Sequence, residues 1–559
     1  MIEILLSWVW IGLCAGMVGF GIILLLQKLT NETYRFSVDM VLITGLCVLT
    51  VYAQTFSLFD KVGLVANIIL LFIVAVLAVG LRKQISQYVQ QIFVGQNKRV
   101  IFLILLVTGV MMLLKGNQPV DCYDSSLYHG QAIHWIEEYG VVPGLGNLHS
   151  RFAFNSSFLA LQALFSMKFL IGRSLHSVNA FFDWVLLAYG LLSMKAFREK
   201  KFMISDGLRL ASFFVINYIL YMSSPNTDLM SSGMMIYILI KWTSMWEDEE
   251  EYQHFLPYAL LCILGVWTAS LKVSSGAVAI MTVFVAWELL KNKKWKDILV
   301  YIVSGSVVAL PWLIRNVIIS GYLLYPYGAF DLFDVDWKMP MDVVKHEAAG
   351  VTACARGTYV SGQGIIQTSV IGWIPRWFLG QNILFKALFV VSVIAICIGF
   401  ICCVIKVIRK QDVGYVSIYT TMLICFLLWF FGAPSARFAP ACLTMIPFFV
   451  FGELYQKYPI RIVERHIMTV MIALCLICNA RFVLRTVNGE HGSLLYSTDY
   501  PDMEVESVEW NGITMYYPID GSDQTGYYAF PSTPYISNLN DLQFRGTDLK
   551  AGFTRKAFD

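Results

Sequence analysis

Long apolar segments recur along the whole 559-residue chain. A helix that spans a lipid bilayer needs about 20 mainly apolar residues, because no water is available to its backbone in the hydrocarbon. We find about fourteen such windows, at 4–26, 38–58, 62–81, 100–114, 176–195, 207–222, 229–245, 255–271, 274–290, 297–316, 383–405, 414–432, 438–455 and 466–484. The sequence therefore predicts an all-α polytopic membrane protein with about fourteen transmembrane helices.

Composition supports this prediction. Hydrophobic residues make up 57% of the chain and charged residues only 14%, whereas a soluble domain carries about 25% charged residues. This composition excludes a soluble enzyme, a nucleic-acid-binding protein and a disordered protein. The net charge of +3 is too small to indicate an acidic macromolecular partner.

The positions of Lys and Arg predict the orientation, because cytoplasmic loops carry an excess of both. With fourteen spans, all five basic clusters fall on one side; they are centred at 82–99, 195–201, 291–296, 406–410 and 457–465. Three long segments, 115–175, 322–380 and 486–559, then face outward. The last contains turn-rich alternating stretches that are typical of strands. We expect a multi-pass protein of a cell membrane with an outward-facing site and a small β-containing C-terminal appendage.

The first outward segment holds the strongest candidate for catalysis. Apolar residues at helical spacing over 127–139 predict a short amphipathic helix along the membrane surface, with Glu137 on its solvated face. Asp124 directly precedes this helix. It has two interpretations, a helix cap or a general base that the helix dipole keeps ionised. Asp121 is the second candidate for the base.

Asp124, Tyr128 and His129, in the run DSSLYH, resemble the acidic loop motif of the GT-C superfamily of membrane glycosyltransferases. The run that follows also resembles a group of bacterial membrane proteins with a G-x-x-P-G-L-x-N-x-H stretch (140–149) and an N-S-S (155–157). The resemblance covers most of the chain after about residue 100. The superfamily places its acidic loop after the first helix. Residues 1–99 are therefore expected to be additional transmembrane helices, residues 100–485 the GT-C-like module and residues 486–559 the appendage.

The resemblance implies a polyprenyl-phosphate sugar as donor and a cell-surface glycan, lipid or protein as acceptor. Such a transfer requires a base for the acceptor hydroxyl and cations for the lipid phosphate. Membrane lipids are the other expected partner, and no nucleic acid is expected. The candidate substrate-binding residues are Tyr128, His129, His149, Asn155, Asp228, Lys272, Arg315 and Arg437.

Each charged candidate also has a simpler interpretation. Arg437 lies in GAPSARFAP, a tight turn between two spans whose P-x-x-R-F run resembles one near the donor phosphate in the superfamily; the alternative is a positive anchor. Lys272 and Arg315 lie in or beside apolar runs, where an ionisable group indicates function, but both could extend to lipid headgroups. Asp228 follows Pro-Asn-Thr, which is favourable turn chemistry.

No metal site is predicted, because no C-x-x-C pair has matching His or Cys partners. Some relatives in the superfamily bind a divalent cation, and this option stays open. His129 and His149 are interpreted as hydrogen-bonding groups rather than ligands. The segment 322–380 is expected to cover the cavity and select the acceptor. Cys122 and Cys354 are the only cysteines assigned outward, and a disulfide between them is an open alternative.

Two other functions compete with the transferase. A polymerase or ligase of the O-antigen type also has many spans, but its large loop falls late in the chain. A transporter or flippase for lipid-linked glycans is the other alternative. Transporters tend to show paired halves and charges near the bilayer midplane, whereas here the ionisable residues gather at the outward boundary.

Overall fold

The computed structural model describes residues 1–92, 97–199, 201–218, 223–248, 254–360, 364–410, 412–488, 496–519 and 521–555. These residues are mainly helical. Seven of the described helical segments are long and apolar enough to cross a membrane: α1 (Ile2–Thr30), α2 (Val38–Ser57), α5 (Lys98–Gly116), Val273–Lys291, α16 (Trp295–Ser320), α19 (Ile383–Ile408) and α20 (Val413–Gly432). An eighth span is possible if α3 (Leu64–Gly80) and α4 (Arg82–Ile92), bent by 78°, cross together.

The remaining helices are shorter or more polar. The first half of the chain contains α6 (Gly130–Glu138), α7 (Leu145–Leu148), α8 (Ser157–Leu164), α9 (Lys168–Ile171), α10 (Val178–Leu192), α11 (Lys195–Arg198), α12 (Ile204–Tyr218) and α13 (Thr227–Trp246). The second half contains α14 (Phe255–Leu271), α15 (Thr282–Lys291), α17 (Met341–Arg356), α18 (Ile374–Gly380), α21 (Pro440–Lys457) and α22 (Arg461–Val487). The helical class is confirmed, and the total of fourteen spans stays a prediction.

The sequence windows 255–271 and 274–290 predict two helices, and the structure divides this stretch accordingly. The helix α14 ends before Lys272, which is extended with φ −159° and ψ 122°. A 3₁₀ segment, Val273–Met281, then leads into α15. The break therefore falls at Lys272, between the two predicted helices.

The N-terminal helices pack directly against the rest of the bundle. The side chain of Trp8 donates to the carbonyl of Ser177 at 3.1 Å, and Tyr237 donates to Asp39 at 2.7 Å. Helices α1 and α2 cross at a pair of glycines. A Cβ atom on Gly45 would lie 1.9 Å from the Ala15 carbonyl oxygen, and one on Gly19 would lie 2.0 Å from that of Val41.

A Gly45→Ala substitution is therefore expected to destabilise the protein by at least about 2 kcal/mol, since the added methyl group meets backbone that cannot rotate away. Gly305→Ala is the matched control. It also lies in an apolar helix, and a Cβ there has no neighbour within 4 Å. This control should leave stability unchanged or raise it by up to about 1 kcal/mol. Thermal unfolding in one detergent compares them, and equal midpoints would contradict the close crossing.

The C-terminal segment contains two antiparallel hairpins, as the sequence predicts. The first pairs β3 (Val505–Trp510) with β4 (Ile513–Pro518), in register from Val505 opposite Pro518 to Trp510 opposite Ile513. The turn residues Asn511 and Gly512 both have positive φ, at 50° and 79°, which is the geometry of a type I′ turn. The second pairs β5 (Leu542–Phe544) with β6 (Phe553–Arg555). We call residues 496–555 the tail.

The tail covers the helix α6 of the first outward segment. The side-chain amide of Gln131 donates to the carbonyls of Gly526 at 3.0 Å and Ala529 at 2.8 Å. Glu137 is 6% exposed and accepts hydrogen bonds from the hydroxyls of Tyr527 and Ser174. The expectation that Glu137 lies on a solvated face is therefore wrong. The tail supplies a second polar surface that a helical pattern cannot reveal, and burial raises the pKa of Glu137.

The segment 322–380 lies at the same end of the molecule. Besides α17 and α18 it contains a two-stranded sheet of β1 (Tyr359–Val360) and β2 (Gly364–Ile365). Arg545 of the tail contacts its Asp336 through two hydrogen bonds of 2.8 and 3.1 Å. Asn147 of the first segment donates to the carbonyl of its Trp337 at 2.8 Å. The three segments expected to face outward are thus in contact with one another.

Candidate functional site

Four of the predicted site residues meet at this end of the bundle. Asp124 directly precedes a π-helical turn, Ser125–His129, that leads into α6. Asp228 lies in the first turn of α13, and Lys272 occupies the break after α14. Arg437 lies in the turn between α20 and α21. All four positions lie at a turn, a break or the beginning of a helix, and their side chains converge there.

These four residues, the charged cluster, form a continuous chain of opposite charges. The Nη2 group of Arg437 donates to Oδ2 of Asp124 at 2.5 Å, and its Nε group donates to Oδ2 of Asp228 at 3.1 Å. Lys272 donates to the other oxygen of Asp228. The ammonium of Lys272 also lies 3.1 Å from the centre of the Phe438 ring. Each carboxylate therefore has a cation, and the two carboxylates share one guanidinium.

The simpler interpretations of these residues do not describe their contacts. The side chain of Asp124 makes no capping hydrogen bond to the helix that follows it. At α13 the cap is Asn226, whose side chain accepts from the backbone N–H of Asp228 at 2.8 Å, so the carboxylate of Asp228 is available to the cations. Lys272 points to Asp228 rather than along a span towards headgroups.

Sequence reasoning missed one member of a wider network. Nη1 of Arg151 lies 3.9 Å from Oδ1 of Asp124, and its Nε lies 3.5 Å from Oε1 of Glu347 in the segment 322–380. Ser150 donates to the same carboxylate at 2.9 Å. The run HSRF follows the motif at 140–149 and could have indicated a basic group beside it. Arg151 thus connects the charged cluster to the second outward segment.

The network sets the protonation of Asp124. Burial acts to raise its pKa, and the nearby cations, Arg437 first, lower it by more, so the pKa lies below its usual value. Asp124 is therefore ionised at neutral pH. Partial burial lowers the pKa of Arg437, and the carboxylates of Asp228 and Asp124 raise it by more, so Arg437 stays charged. A permanent anion and a permanent cation thus lie in direct contact.

Tyr128 and His129 lie beside the cluster. Their rings are 4.3 Å apart, and the ring of Tyr128 is 6.1 Å from that of Phe154. Neither ring nitrogen of His129 has a hydrogen-bond partner among the described residues. The same is true of His149, which packs against the rings of Phe152 and Tyr535. Both histidines are buried with unused hydrogen-bonding capacity among the described residues, which is uncommon in folded proteins.

The other candidates lie elsewhere. Arg315 donates to the side chain of Asn155 at 3.1 Å and to the hydroxyl of Ser57, and Asn155 donates to Asn316 at 2.8 Å. In the described part of the chain, none of these contacts reaches the charged cluster, and they hold the first segment onto α16. Asp121 is exposed, and its backbone N–H donates to Ser224 at 3.2 Å.

Within the described ranges, no group of three His, Cys, Asp or Glu side chains has the arrangement of a metal site. His129 and His149 therefore have no neighbouring ligand set there. Cys122 is buried and Cys354 exposed, and both are free thiols. The two segments are joined by the contacts of Arg151 and Asn147 and not by a disulfide between these residues.

Three histidines with lowered pKa values, outside the predicted spans, make the stability dependent on pH. Burial lowers the pKa of His129 and His134 to about 4, and that of His149 to about 3, from the usual 6.5. Between about pH 6.5 and 4 the unfolded chain therefore binds more protons than the folded chain. The free energy of unfolding falls as the pH falls through this window, by about 1.4 kcal/mol per pH unit for each histidine.

We expect His149→Phe to make the free energy of unfolding less dependent on pH, by about 1.4 kcal/mol per pH unit. The reason is that Phe fits the aromatic surroundings and does not titrate. His346→Gln, at an exposed position, is the control and should leave the slope unchanged. Denaturant unfolding at pH 4.5, 5.5 and 6.5 measures all three proteins. Equal slopes for wild type and His149→Phe would contradict the buried neutral state of His149.

The chain belongs to the family described as "Domain of unknown function (DUF8201)", whose model matches residues 1–444. The matched region includes all four residues of the charged cluster, and it also includes the N-terminal helices of residues 1–99. No curated protein and no solved structure matches the chain.

Proposed function

We propose that this protein is a glycosyltransferase of the GT-C type. It moves a sugar from a polyprenyl-phosphate donor to a glycan, lipid or protein acceptor on the outer face of a bacterial cell membrane. The observation that carries the proposal is the contact of Arg437 with both Asp124 and Asp228. It supports the proposal because a carboxylate and two cations meet at helix ends, where a lipid phosphate and an aqueous acceptor can both arrive.

In the proposed reaction, the carboxylate of Asp124 takes the proton of the acceptor hydroxyl, and the hydroxyl oxygen attacks the anomeric carbon of the donor. The bond between that carbon and the phosphate oxygen breaks, and the polyprenyl phosphate leaves with the electron pair. Arg437 and Lys272 donate hydrogen bonds to the phosphate oxygens and stabilise the charge that develops there.

Arg437 links donor binding to the strength of the base in this proposal. In the resting state its guanidinium holds the pKa of Asp124 low, and a carboxylate with a low pKa is a weak base. A donor phosphate competes with Asp124 for the guanidinium. When Arg437 turns to the phosphate, Asp124 loses its strongest partner, its pKa rises and it accepts a proton more readily.

The proposed protein has the architecture that the sequence predicts, with about fourteen spans and a GT-C-like module over residues 100–485. Tyr128, His129 and His149 are placed on the acceptor side of the charged cluster. Asn155 and Arg315 are assigned to holding the first segment onto α16, from their mutual contact, rather than to binding the substrate.

Lipid binding tests the proposal. The protein is reconstituted in nanodiscs containing either polyprenyl phosphate or the uncharged polyprenol, and its thermal unfolding is measured. We expect polyprenyl phosphate alone to stabilise wild type, and Arg437→Gln to lose this stabilisation. Arg376→Gln is the control, since Arg376 is an exposed arginine of α18. Equal midpoints with both lipids for the wild type would refute the proposal.

A further inference from the structure

A cavity of about 230 Å³ lies within the tail and is open on one side. The residues that line it include Asp502, Met503, Tyr516, Thr525 and Tyr528. Tyr528 is 44% exposed, and Tyr516 is half-buried on the strand β4. None of the contacts described so far for the charged cluster involves these side chains.

The chemistry of the walls fits a sugar. Two tyrosine rings offer apolar faces for the C–H groups of a pyranose and hydroxyls for its polar edge, and the carboxylate of Asp502 accepts from sugar hydroxyls. No Lys, Arg or His belongs to the wall in the described part of the chain, which disfavours an anionic ligand. The cavity is smaller than the roughly 300–1,000 Å³ of sites for drug-sized ligands, and this volume suits one sugar unit.

One wall residue of the cavity, Thr525, contacts the segment that carries Asp124. The backbone N–H groups of Thr525 and Gly526 donate to the carbonyl of Ser126 at 3.2 and 2.8 Å. The hydroxyl of Tyr123 donates to Asp523. The chain on either side of Asp124 is therefore hydrogen-bonded to the stretch 523–526, which leads directly into the cavity wall.

We propose that this cavity binds a neutral sugar unit of the acceptor, which is then a glycan. The stretch 523–526 separates the bound sugar unit from the chain around Asp124, where another part of the glycan presents the reacting hydroxyl. Sugar binding is inferred from the cavity alone, whereas its role as the acceptor subsite rests on the proposed transferase function. The tail then selects the acceptor, while the charged cluster binds the donor.

Saturation-transfer NMR tests the inference on the full chain in nanodiscs, free of glycoside detergent. The probes are maltose, cellobiose, lactose and N,N′-diacetylchitobiose at millimolar concentration. We expect at least one of them to bind wild type, and Tyr528→Ala to bind it about fivefold more weakly, since one stacked ring is lost. Asp502→Asn should weaken binding as well. Tyr458→Ala, which removes a 67% exposed tyrosine outside the tail, should bind as wild type does.

The variant Arg437→Gln separates this inference from the proposed function. It should retain disaccharide binding while it loses the effect of polyprenyl phosphate. If disaccharides bind and polyprenyl phosphate does not, the transferase proposal fails and the glycan site stands. If no probe binds wild type, or if Tyr528→Ala binds as strongly as wild type, the glycan site is overturned whatever the lipid does.

Discussion

Asp124→Asn is expected to slow sugar transfer by about 10²–10⁴-fold, the usual contribution of a general base. The asparagine keeps the size of the side chain and can still accept a hydrogen bond from Arg437, but it cannot take a proton from the acceptor. The donor lipid should therefore still stabilise the variant. Activity is measured as the transfer of a radiolabelled sugar from its polyprenyl-phosphate donor. Lipid binding is measured on the same sample as the shift in unfolding temperature that polyprenyl phosphate causes.

The matched control for this substitution is Asp121→Asn. It lies three residues earlier in the same segment, and it is exposed whereas Asp124 is buried. We expect this control to transfer sugar at the wild-type rate. A wild-type rate in Asp124→Asn together with a slow Asp121→Asn would move the base to Asp121. Wild-type rates in both variants would show that the general base lies outside this segment.

Arg437→Ala is expected to lower the free energy of unfolding by about 2–4 kcal/mol. Removal of one partner of a buried ion pair costs about 3–5 kcal/mol, because the remaining charge stays buried and unpaired. The side chain of Arg437 is 35% exposed, so solvent screens part of this loss. Asp228 keeps Lys272 as a partner, and Asp124 loses its strongest one. Thermal and denaturant unfolding in detergent measure the change.

A double-mutant cycle identifies the source of this loss. Adding Asp124→Asn to Arg437→Ala removes the unpaired carboxylate and should restore at least about 1 kcal/mol. Arg376→Ala, at the exposed position on α18, should change stability by less than about 0.5 kcal/mol. If the losses from Arg437→Ala and Asp124→Asn simply add, the two side chains do not interact in the folded protein.

The sequence predicted the charged cluster better than it predicted the surroundings of the cluster. Asp124, Asp228, Lys272 and Arg437 were all singled out from the sequence as candidate site residues, in loops, in turns or in an apolar run. That the four side chains contact one another was not predicted. Which residue pairs with which was not readable, because this depends on how neighbouring helices pack.

Other site features depend on contacts between segments distant in sequence, which the sequence alone does not show. Glu137 is buried because Tyr527 of the tail lies over it, and α6 alone gives no sign of that cover. Arg315 and Asn155 contact each other across the boundary between the first segment and α16. Arg151 was missed because its two carboxylate partners, Asp124 and Glu347, come from different segments.

The cover that the tail places on α6 has a consequence for how the protein is made. Gln131 and Gly526, which are in hydrogen-bond contact, are 395 residues apart in the chain. During synthesis, the whole stretch between them must be made before the tail can reach α6. Until then, the polar groups of Gln131 and Glu137 remain without their partners in the tail. The surroundings of α6 are therefore completed last, and a chain halted before the tail would leave these two polar side chains uncovered.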